Sequence, residues 1–247
     1  MDSDFLPNSK LQNAANLWLV RLSELENQKD KFADFLDENE TMRLKQFSND
    51  QAAKMFLFSR GILRYLIGIY LNCKPKSIVF SLGQHGKPYL ADKRNFYFNL
   101  SHSRGVIAVL FSRHEAGVDI EWLDRKIEFK AIMKRYFTKN EILSWKKHCV
   151  PDEKTAFLRG WTRKEAFLKA TGEGISGLSK CEISFEPDIF NALISRNNTK
   201  NELNIWSFFD FKIGESHIGT CVIKCQRPNV SIYNFTEEWQ NKLLRFT

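Results

Sequence analysis

Two acidic residues, Asp119 and Glu121, are separated by one residue in a segment where apolar and polar residues alternate. Such alternation predicts a β-strand, in which side chains two positions apart point to the same face. Two carboxylates on one face can bind a hard divalent cation, because Mg²⁺ prefers oxygen ligands. The same pattern is typical of the solvent-facing side of a strand, so these two residues alone leave both interpretations open.

A carboxylate and two ammonium groups lie close together further along the chain, at Glu165, Lys164 and Lys169. In a helix, Glu165 and Lys169 are one turn apart and face the same side. An exposed salt bridge would account for this pair, but the neighbouring aromatic residues require burial, which favours charges that line a cleft. Joined to the first two carboxylates, Glu165 would complete a magnesium site, and the two lysines would suit a polyphosphate.

A third polar cluster consists of Ser101, His102, Ser103 and Arg104, at the predicted end of an aromatic-rich strand. Hydroxyl, imidazole and guanidinium groups on one turn are typical of an anion-binding corner. A single histidine at a strand end is also commonly structural. A hydrolase pair of Ser101 and His102 is not favoured, because adjacent strand side chains point to opposite faces and the G-x-S-x-G motif is absent.

Hydrophobic periodicity and capping residues predict the elements that position these clusters. Strands are expected at 16–22, 77–81, 96–100, 106–111 and 117–122, and helices at 50–71, 139–147 and from just after Pro151 to Gly172. The first of these helices begins at Asp50, which can cap it. The second follows a capping box formed by Thr138 and Glu141.

The order of these elements repeats along the chain. A long helix, a short strand, a longer strand and a closing strand occur first around Arg60 and again around Arg163, at an offset of roughly 105 residues. This order predicts an α+β fold built from two similar subdomains related by a pseudo-two-fold axis, with a ligand cleft between them. The boundary is expected near Ala116, which gives subdomains at 1–116 and 117–247.

The composition predicts a folded protein with an acidic partner. Of the 247 residues, 43% are hydrophobic, and 37 Lys and Arg against 29 Asp and Glu leave a net charge of +8. Nucleic acid, a phosphorylated cofactor and an acidic protein all remain open as partners. The longest apolar run is too short to cross a bilayer and residues 1–4 lack the pattern of a secretory signal, so we expect a soluble protein in the cytoplasm. The five cysteines lack a C-x-x-C or zinc spacing and are expected to be reduced thiols, mostly buried.

Four motifs, taken in this order and spacing, resemble those of the Sfp-type 4′-phosphopantetheinyl transferases, in the branch with Trp and K-E-A. They are G-K-P-Y at 86–89, N-L-S-H-S at 99–103, G-V-D-I-E at 117–121 and W-T-R-K-E-A-F-L-K at 161–169. The resemblance implies two similar α+β subdomains with coenzyme A held between them. It also implies the reaction: the phosphopantetheine arm of coenzyme A moves to a serine hydroxyl of an apo carrier protein, and 3′,5′-ADP is released.

The resemblance implies a metal-binding and catalytic set. Asp119, Glu121 and Glu165 would bind a Mg²⁺ that bridges the pyrophosphate, and Lys164 and Lys169 would contact the phosphates or the incoming hydroxyl. Displacement at the β-phosphorus builds negative charge on the leaving 3′,5′-ADP, which a metal and lysines neutralise. A base must take the proton of the carrier serine, and Glu165, directly or through a metal-bound water, and neutral Lys169 both remain candidates.

A second set implied by the resemblance binds the rest of coenzyme A. Lys87, Ser101 and His102 would hold the nucleotide phosphates, and Arg43 and Arg60 would face the 3′-phosphate. These residues are far apart in the sequence, so the expectation requires that the fold bring them to one side of the cleft.

The carrier proteins implied by the resemblance are acidic, which agrees with the net charge of +8. Between 125 and 137 lies a basic stretch whose apolar residues have helical spacing. One interpretation is a core helix with a solvated basic face. The other is a docking surface in which Lys130, Lys134 and an exposed Met133 meet the carrier, and both can hold at once. A duplicated chain supplies both halves of the cleft, so we expect a monomer.

Two rival classes remain to be weighed. A metal-dependent nuclease would use D-x-E followed by E-x-x-x-K, but it requires a lysine two residues after the second acid, where this chain has Leu123. A nucleic-acid-binding protein is favoured by the pI of about 9.2 and by 6 Trp, 6 Tyr and 21 Phe. Most of the phenylalanines lie in apolar runs, so a core is the simpler explanation for them. We therefore expect neither a nucleic acid nor a membrane as partner.

Overall fold

The structure, a computed structural model, describes residues 14–92, 95–149, 151–197, 199 and 203–236. The expectation about a secretory signal concerns residues 1–4, which lie outside these ranges. Within the described ranges, no helix is both long and apolar enough to cross a membrane.

The described chain contains α-helices and β-strands in groups, with short 3₁₀ turns between some of them. The helices are α1 (Lys29–Asp34), α2 (Glu38–Lys45), α3 (Asp50–Leu71), α4 (Phe129–Tyr136), α5 (Lys139–Lys147) and α6 (Glu153–Thr171). The strands are β1 (Ala14–Arg21), β2 (Ser81–Leu82), β3 (Pro88–Tyr89), β4 (Tyr97–Ser103), β5 (Val106–Ser112), β6 (Ala116–Trp122), β7 (Cys181–Ile183), β8 (Leu193–Arg196), β9 (Ser207–Ile213), β10 (His217–Ile223) and β11 (Asn229–Asn234). The predicted α+β class is confirmed.

Two larger sheets form the centre of the protein. The first has the order β11-β1-β5-β4, with β1 and β5 antiparallel and β1 and β11 parallel. The second is the antiparallel sheet β6-β10-β9. The pairs β2-β3 and β7-β8 form small separate ribbons, the first before β4 in the chain and the second before β9.

The layers follow from the two-residue period of β1. Trp18 and Val20 pack with α3 in one core, whereas Leu17 and Leu19 face the other way and pack with residues of the second sheet. A further core lies between the second sheet and α6. The protein is therefore layered as α3, first sheet, second sheet and α6.

The two long helices begin and end at residues that satisfy their terminal backbone groups. Helix α3 has the predicted bounds, but its cap is Asn49 rather than Asp50: Asn49 Oδ1 accepts the Ala52 N–H at 2.8 Å. It ends at Asn72, which adopts a left-handed conformation with φ of 50°. Helix α6 likewise begins at a capping aspartate and ends at Gly172, with φ of 75°. The capping box predicted before α5 is present.

The second half repeats the element order of the first. Helix α3 is followed by β2, β4 and β5, and α6 is followed by β7, β9 and β10. Two predictions differ from the structure by more than a shift of a few residues at the end of an element. Most of the strand expected at 77–81 is a 3₁₀ turn begun by Pro75 and an extended segment, and the strand starts only at Ser81. Strand β11 lies in the first sheet beside β1, although the predicted division assigns it to the second half, because it pairs with the edge that β1 would otherwise leave open.

Strands β4 and β6 face each other at the boundary between the sheets, and side chains rather than a backbone ladder join them. Three polar side chains on one face of β4 accept backbone N–H groups of β6. These bonds are Val118 N–H to Asn99 Oδ1 at 2.9 Å, Ile120 N–H to Ser101 Oγ at 3.3 Å and Trp122 N–H to Ser103 Oγ at 3.1 Å. The motifs N-L-S-H-S and G-V-D-I-E therefore lie side by side.

Candidate active site

Asp119 is the centre of a small hydrogen-bonded cluster where β4, β6 and α6 meet. Its Oδ1 accepts from Lys169 Nζ at 2.7 Å and from Ser101 Oγ at 2.9 Å, and Lys169 Nζ is also 3.0 Å from Ser101 Oγ. Asp119 is buried, and its Oδ2 atom has no hydrogen-bond partner. A buried carboxylate oxygen without a partner is costly, so Asp119 is ready to accept one more cation or donor.

Glu121 lies on the same strand face as Asp119. Burial raises the pKa of Glu121, and the charge of Asp119 raises it further. Arg125 opposes this effect, because its Nη1 lies 2.6 Å from Glu121 Oε1. Arg125 was not predicted as a site residue, although its position four residues after Glu121 is typical of an ion pair.

Glu165 faces this cluster from helix α6. Burial raises the pKa of Glu165, Asp119 and Glu121 raise it further, and Lys169 lowers it. The negative charges of Asp119 and Glu121 therefore both act on Glu165, and that of Asp119 also acts on Glu121, as expected when negative charges converge. The fold therefore places Asp119, Glu121 and Glu165 within electrostatic range of one another, and their role as metal ligands stays a prediction.

The donor atoms of this cluster fit a hard divalent cation. All three candidates supply carboxylate oxygen, and Asp119 Oδ2 lacks a partner. Among the described residues, however, no three His, Cys, Asp or Glu side chains form a ready-made metal cluster. Lys169 and Arg125 are the present counterions of Asp119 and Glu121, so cation binding requires these two side chains to give up a contact.

Three cavities adjoin one another around Leu100. The first, of about 450 Å³, lies between α2, α3 and β4 and has three basic groups in its wall, Arg43, Arg60 and His102. The second, of about 210 Å³, is lined by Glu165, Lys169 and residues of the segment 85–88. The third, of about 370 Å³, is lined by His102, Asp119, Glu121 and Lys169. The cleft therefore runs from a basic end to an acidic end.

The basic end is held by residues of two helices. Arg43 lies over the ring of Phe56, and Arg60 is 3.7 Å from Glu40. Burial lowers the pKa of Arg60, an effect that Glu40 opposes. Glu40 also accepts a hydrogen bond from Nε of the fully buried Arg64 at 2.5 Å. The Glu40 carboxylate therefore links the side chain of Arg60 to that of Arg64. Neither Glu40 nor Arg64 was identified from the sequence.

His102 lies between the basic and acidic ends, since it lines both the first and the third cavity. Partial burial and the neighbouring charge of Lys169 lower the pKa of His102, which favours its neutral imidazole. An anion bound beside it would favour the protonated form and would gain a charge-assisted hydrogen bond.

Four predicted roles need correction or restriction. Lys164 is fully buried on another side of α6, where its Nζ donates to the carbonyl oxygens of Leu178 and Cys181, so the prediction that it contacts a phosphate is wrong. Ser101 is buried and its hydroxyl is bonded within the Asp119 cluster, which restricts its predicted role as a ligand of the nucleotide phosphates.

Lys87 Nζ is bonded to two backbone carbonyl oxygens, which leaves one ammonium hydrogen for another acceptor. Met133, expected to be exposed, is buried in the second core. The cysteine prediction is only partly correct: all five thiols are free, but only Cys181 and Cys221 are buried.

Comparison with known proteins identifies the family of this chain. Residues 115–222 match the family described as "4′-phosphopantetheinyl transferase superfamily", and residues 24–115 match the family described as "4′-phosphopantetheinyl transferase, N-terminal". The two matches adjoin at residue 115, just before β6.

Individual relatives give the same result. The chain is 35% identical over 184 residues to 4′-phosphopantetheinyl transferase HetI of Nostoc sp., which covers 72% of this chain and 76% of that protein. It is 28% identical over 155 residues to 4′-phosphopantetheinyl transferase Sfp of Bacillus subtilis, covering 63% of this chain and 67% of that protein. It is 32% identical over 203 residues to the L-aminoadipate-semialdehyde dehydrogenase-phosphopantetheinyl transferase of Homo sapiens, covering 72% and 63% of the two chains. The chain therefore belongs to the Sfp-type branch of the 4′-phosphopantetheinyl transferase superfamily.

Proposed function

We propose that this protein transfers the 4′-phosphopantetheine arm of coenzyme A to a serine of an apo acyl or peptidyl carrier protein and releases 3′,5′-ADP. The observation that carries the proposal is the cleft itself. It joins a basic cavity at Arg43, Arg60 and His102 to the carboxylate cluster around Asp119. A substrate with phosphates at one end and a reacting pyrophosphate at the other matches that order of charges.

The basic cavity is the proposed site of the nucleotide phosphates. Arg43 and Arg60 are contributed by successive helices, and His102 by the end of β4. Guanidinium and imidazolium groups bind phosphate through charge-assisted hydrogen bonds. Because this cavity meets the second one at Leu100, a bound nucleotide would direct its pyrophosphate toward Glu165 and Lys169.

The carboxylate cluster is the proposed site of Mg²⁺, with Asp119, Glu121 and Glu165 as ligands. The ion would neutralise charge that develops on the pyrophosphate during displacement. Lys169 is held beside this position by Asp119 and Ser101, so its ammonium can turn to a phosphate oxygen when a cation takes its place on Asp119.

Glu165 is the proposed general base. The carrier serine must lose its proton as its oxygen bonds to phosphorus, and the Glu165 carboxylate would accept that proton directly or through a metal-bound water. Lys169 is the weaker candidate, because its ammonium donates to both Asp119 and Ser101 and is therefore placed as a donor.

The carrier protein is proposed to dock beside helix α4. Lys126, Lys130, Lys134 and Arg135 are exposed there, while Met133 faces the interior. Lys130 pairs with Glu153 at 3.0 Å, but both side chains are more than half exposed, so this surface pair is weak and can exchange for an acidic partner. The apolar side of this segment is core, and its exposed basic side is the proposed docking surface.

The remaining parts of the proposal concern cellular context. We propose a monomer that acts in the cytoplasm, on coenzyme A and an acidic carrier, without a nucleic acid or a membrane as partner. The described fold supports the monomer, since β4, β6 and α6 of one chain supply the whole cluster around Asp119.

Incubation with an apo carrier protein, coenzyme A and Mg²⁺, followed by intact mass spectrometry, tests the proposal. The expected result is a mass gain of one phosphopantetheine on the carrier, with 3′,5′-ADP in solution. A carrier in which the acceptor serine is replaced by alanine is the matched control. An unmodified carrier after prolonged incubation with several carrier types would overturn the proposal.

A further inference from the structure

Lys87 connects the two halves of the protein by its side chain. It precedes β3 in the small ribbon of the first half, and its side chain is half-buried. Its Nζ donates to the carbonyl oxygen of Ala170 at 2.8 Å and to that of Ala116 at 3.2 Å. Both acceptors lie at the start or end of elements that carry the proposed active site.

The Ala170 carbonyl belongs to the last turn of α6. The last four carbonyl groups of a helix have no partner within the helix, and they form its negative end. An ammonium group at this position satisfies one of them and neutralises part of that charge. Lys87 therefore acts on α6 as a C-terminal cation that is supplied by the other half of the chain.

The Ala116 carbonyl lies at the first residue of β6, which is in direct contact with α6. A side chain at Gly117 would overlap the Ala166 carbonyl oxygen, so the strand and the helix touch through their backbones. One ammonium thus bonds to both partners of this close contact. Lys169 directly precedes Ala170, and Asp119 lies three residues after Ala116.

We propose that Lys87 is a positioning residue that holds the end of α6 and the start of β6 in register, and thereby sets the positions of Lys169 and Asp119, whose Nζ and Oδ1 atoms lie 2.7 Å apart. This differs from the role implied by resemblance, in which Lys87 holds a nucleotide phosphate. The structural part of the proposal stands by itself. Its consequence for turnover rests on the proposed function.

The environment of Lys87 supports this role. Burial lowers its pKa to about 8, and Glu115 is the neighbouring charge that opposes the effect. A half-buried ammonium needs acceptors for the hydrogens that face the interior, and here two backbone carbonyls accept two of the three. The neighbouring loop also packs across the same boundary: a side-chain carbon at Gly174 would lie 3.4 Å from the His85 ring.

Hydrogen exchange of the unliganded protein tests the structural part. In Lys87→Met, backbone amides of residues 166–171 and 117–120 should exchange at least tenfold faster than in the wild type, and Lys87→Arg should restore most of the protection. Lys54→Met, which removes a surface lysine paired with Glu26, is the matched control and should leave both segments unchanged. Unchanged exchange in Lys87→Met would overturn the proposal.

Binding and turnover separate the two roles of Lys87. The Kd for 3′,5′-ADP, measured by calorimetry, should stay within about twofold in Lys87→Met, whereas kcat should fall by about tenfold or more, because small displacements of catalytic groups are costly. A tenfold weaker Kd with unchanged kcat would identify a phosphate ligand instead and overturn the proposal.

A third measurement uses the wild-type protein, so it does not depend on a variant that folds. The ¹⁵Nζ resonance of Lys87, assigned with Lys87→Arg, should keep its position when saturating 3′,5′-ADP is added. A large shift would contradict the positioning role. A protein that transfers no phosphopantetheine would still show the exchange result, so failure of the proposed function and failure of this inference are distinguishable.

Discussion

The buried ion pair of Lys164 and Glu141 provides a sharp test of where the motif lysines act. Both side chains are 0% exposed, and Lys164 Nζ lies 3.0 Å from Glu141 Oε1. The same ammonium donates to the carbonyl oxygens of Leu178 at 2.7 Å and Cys181 at 2.6 Å. Lys164→Met removes the cation but keeps an unbranched apolar chain. It therefore leaves a buried carboxylate and three carbonyl groups without this partner, the third being that of Tyr136 at 3.3 Å.

The expected loss of stability is large. Removing one member of a buried ion pair costs about 3–5 kcal/mol, because the other charge stays buried without compensation. For a chain of this length, 1 kcal/mol lowers Tm by roughly 2–4 °C. We therefore expect Lys164→Met to lower Tm by roughly 6–20 °C. Adding Glu141→Gln should recover part of the loss, since no uncompensated charge then remains.

The loss should also depend on pH. Burial already raises the pKa of Glu141 above its ordinary 4.5, and Lys164 opposes this. Without Lys164 the folded-state pKa rises further. A carboxyl with a raised folded-state pKa stabilises the fold below its unfolded pKa, and that stabilisation is lost as the pH rises through the folded-state value. The variant should therefore lose more stability relative to wild type at pH 8 than at pH 5.

Thermal and urea unfolding measure these effects, with the Kd for 3′,5′-ADP at low temperature as a second readout. Lys224→Met is the matched control, because Lys224 forms a partly exposed pair with Glu115 and should change Tm little. A wild-type Tm for Lys164→Met together with a tenfold higher Kd for 3′,5′-ADP would contradict a stabilising ion pair between Lys164 and Glu141. That outcome would place Lys164 in the cleft.

Three further predictions concern the cleft and the carrier surface. Asp119→Asn should reduce transfer by at least about a hundredfold, because Asp119 is a proposed metal ligand. Circular dichroism and Tm should stay near wild type, since the substitution removes a charge that raises the pKa of two neighbouring carboxyls. Near-normal turnover would contradict the metal site. His102→Ala should lower kcat/KM for coenzyme A by about tenfold, which is 1.4 kcal/mol, and that for dephospho-coenzyme A much less; equal losses would exclude a contact to the 3′-phosphate. Lys134→Glu should raise the carrier KM, most strongly at low salt, whereas the equally exposed Lys146→Glu should not; equal effects would show that only net charge matters.

Local sequence patterns determined the long helices and the central strands of this protein. The spacing of apolar residues and the cap at one end were sufficient for α3, α5 and α6, because helix periodicity and capping are properties of neighbouring residues. The repeat of element order was visible for the same reason. Weak, short elements were not determined in this way: the strand expected at 77–81 begins only at Ser81, where pairing with β3 decides its extent.

The sequence motifs also indicated which residues could form the acidic end of the cleft. The one-residue spacing of Asp119 and Glu121 in a strand, and the four-residue spacing of Glu165 and Lys169 in a helix, place each pair on one face. Their meeting at one point depends on the contact of β6 with α6, which the absence of a side chain at Gly117 permits. A spacing rule within one element contains no information about that contact.

Only the tertiary structure decided what each lysine does. Lys164 and Lys169 belong to the same motif, yet Lys169 reaches Asp119 while Lys164 is enclosed with Glu141. Lys87, from a different motif, ends on carbonyl oxygens of the other half. An ammonium group binds whichever acceptors surround it, and those acceptors come from segments distant in the sequence. The chain therefore determined by itself which elements form and which charges they carry, whereas the packing of the two halves determined which charges face the cleft.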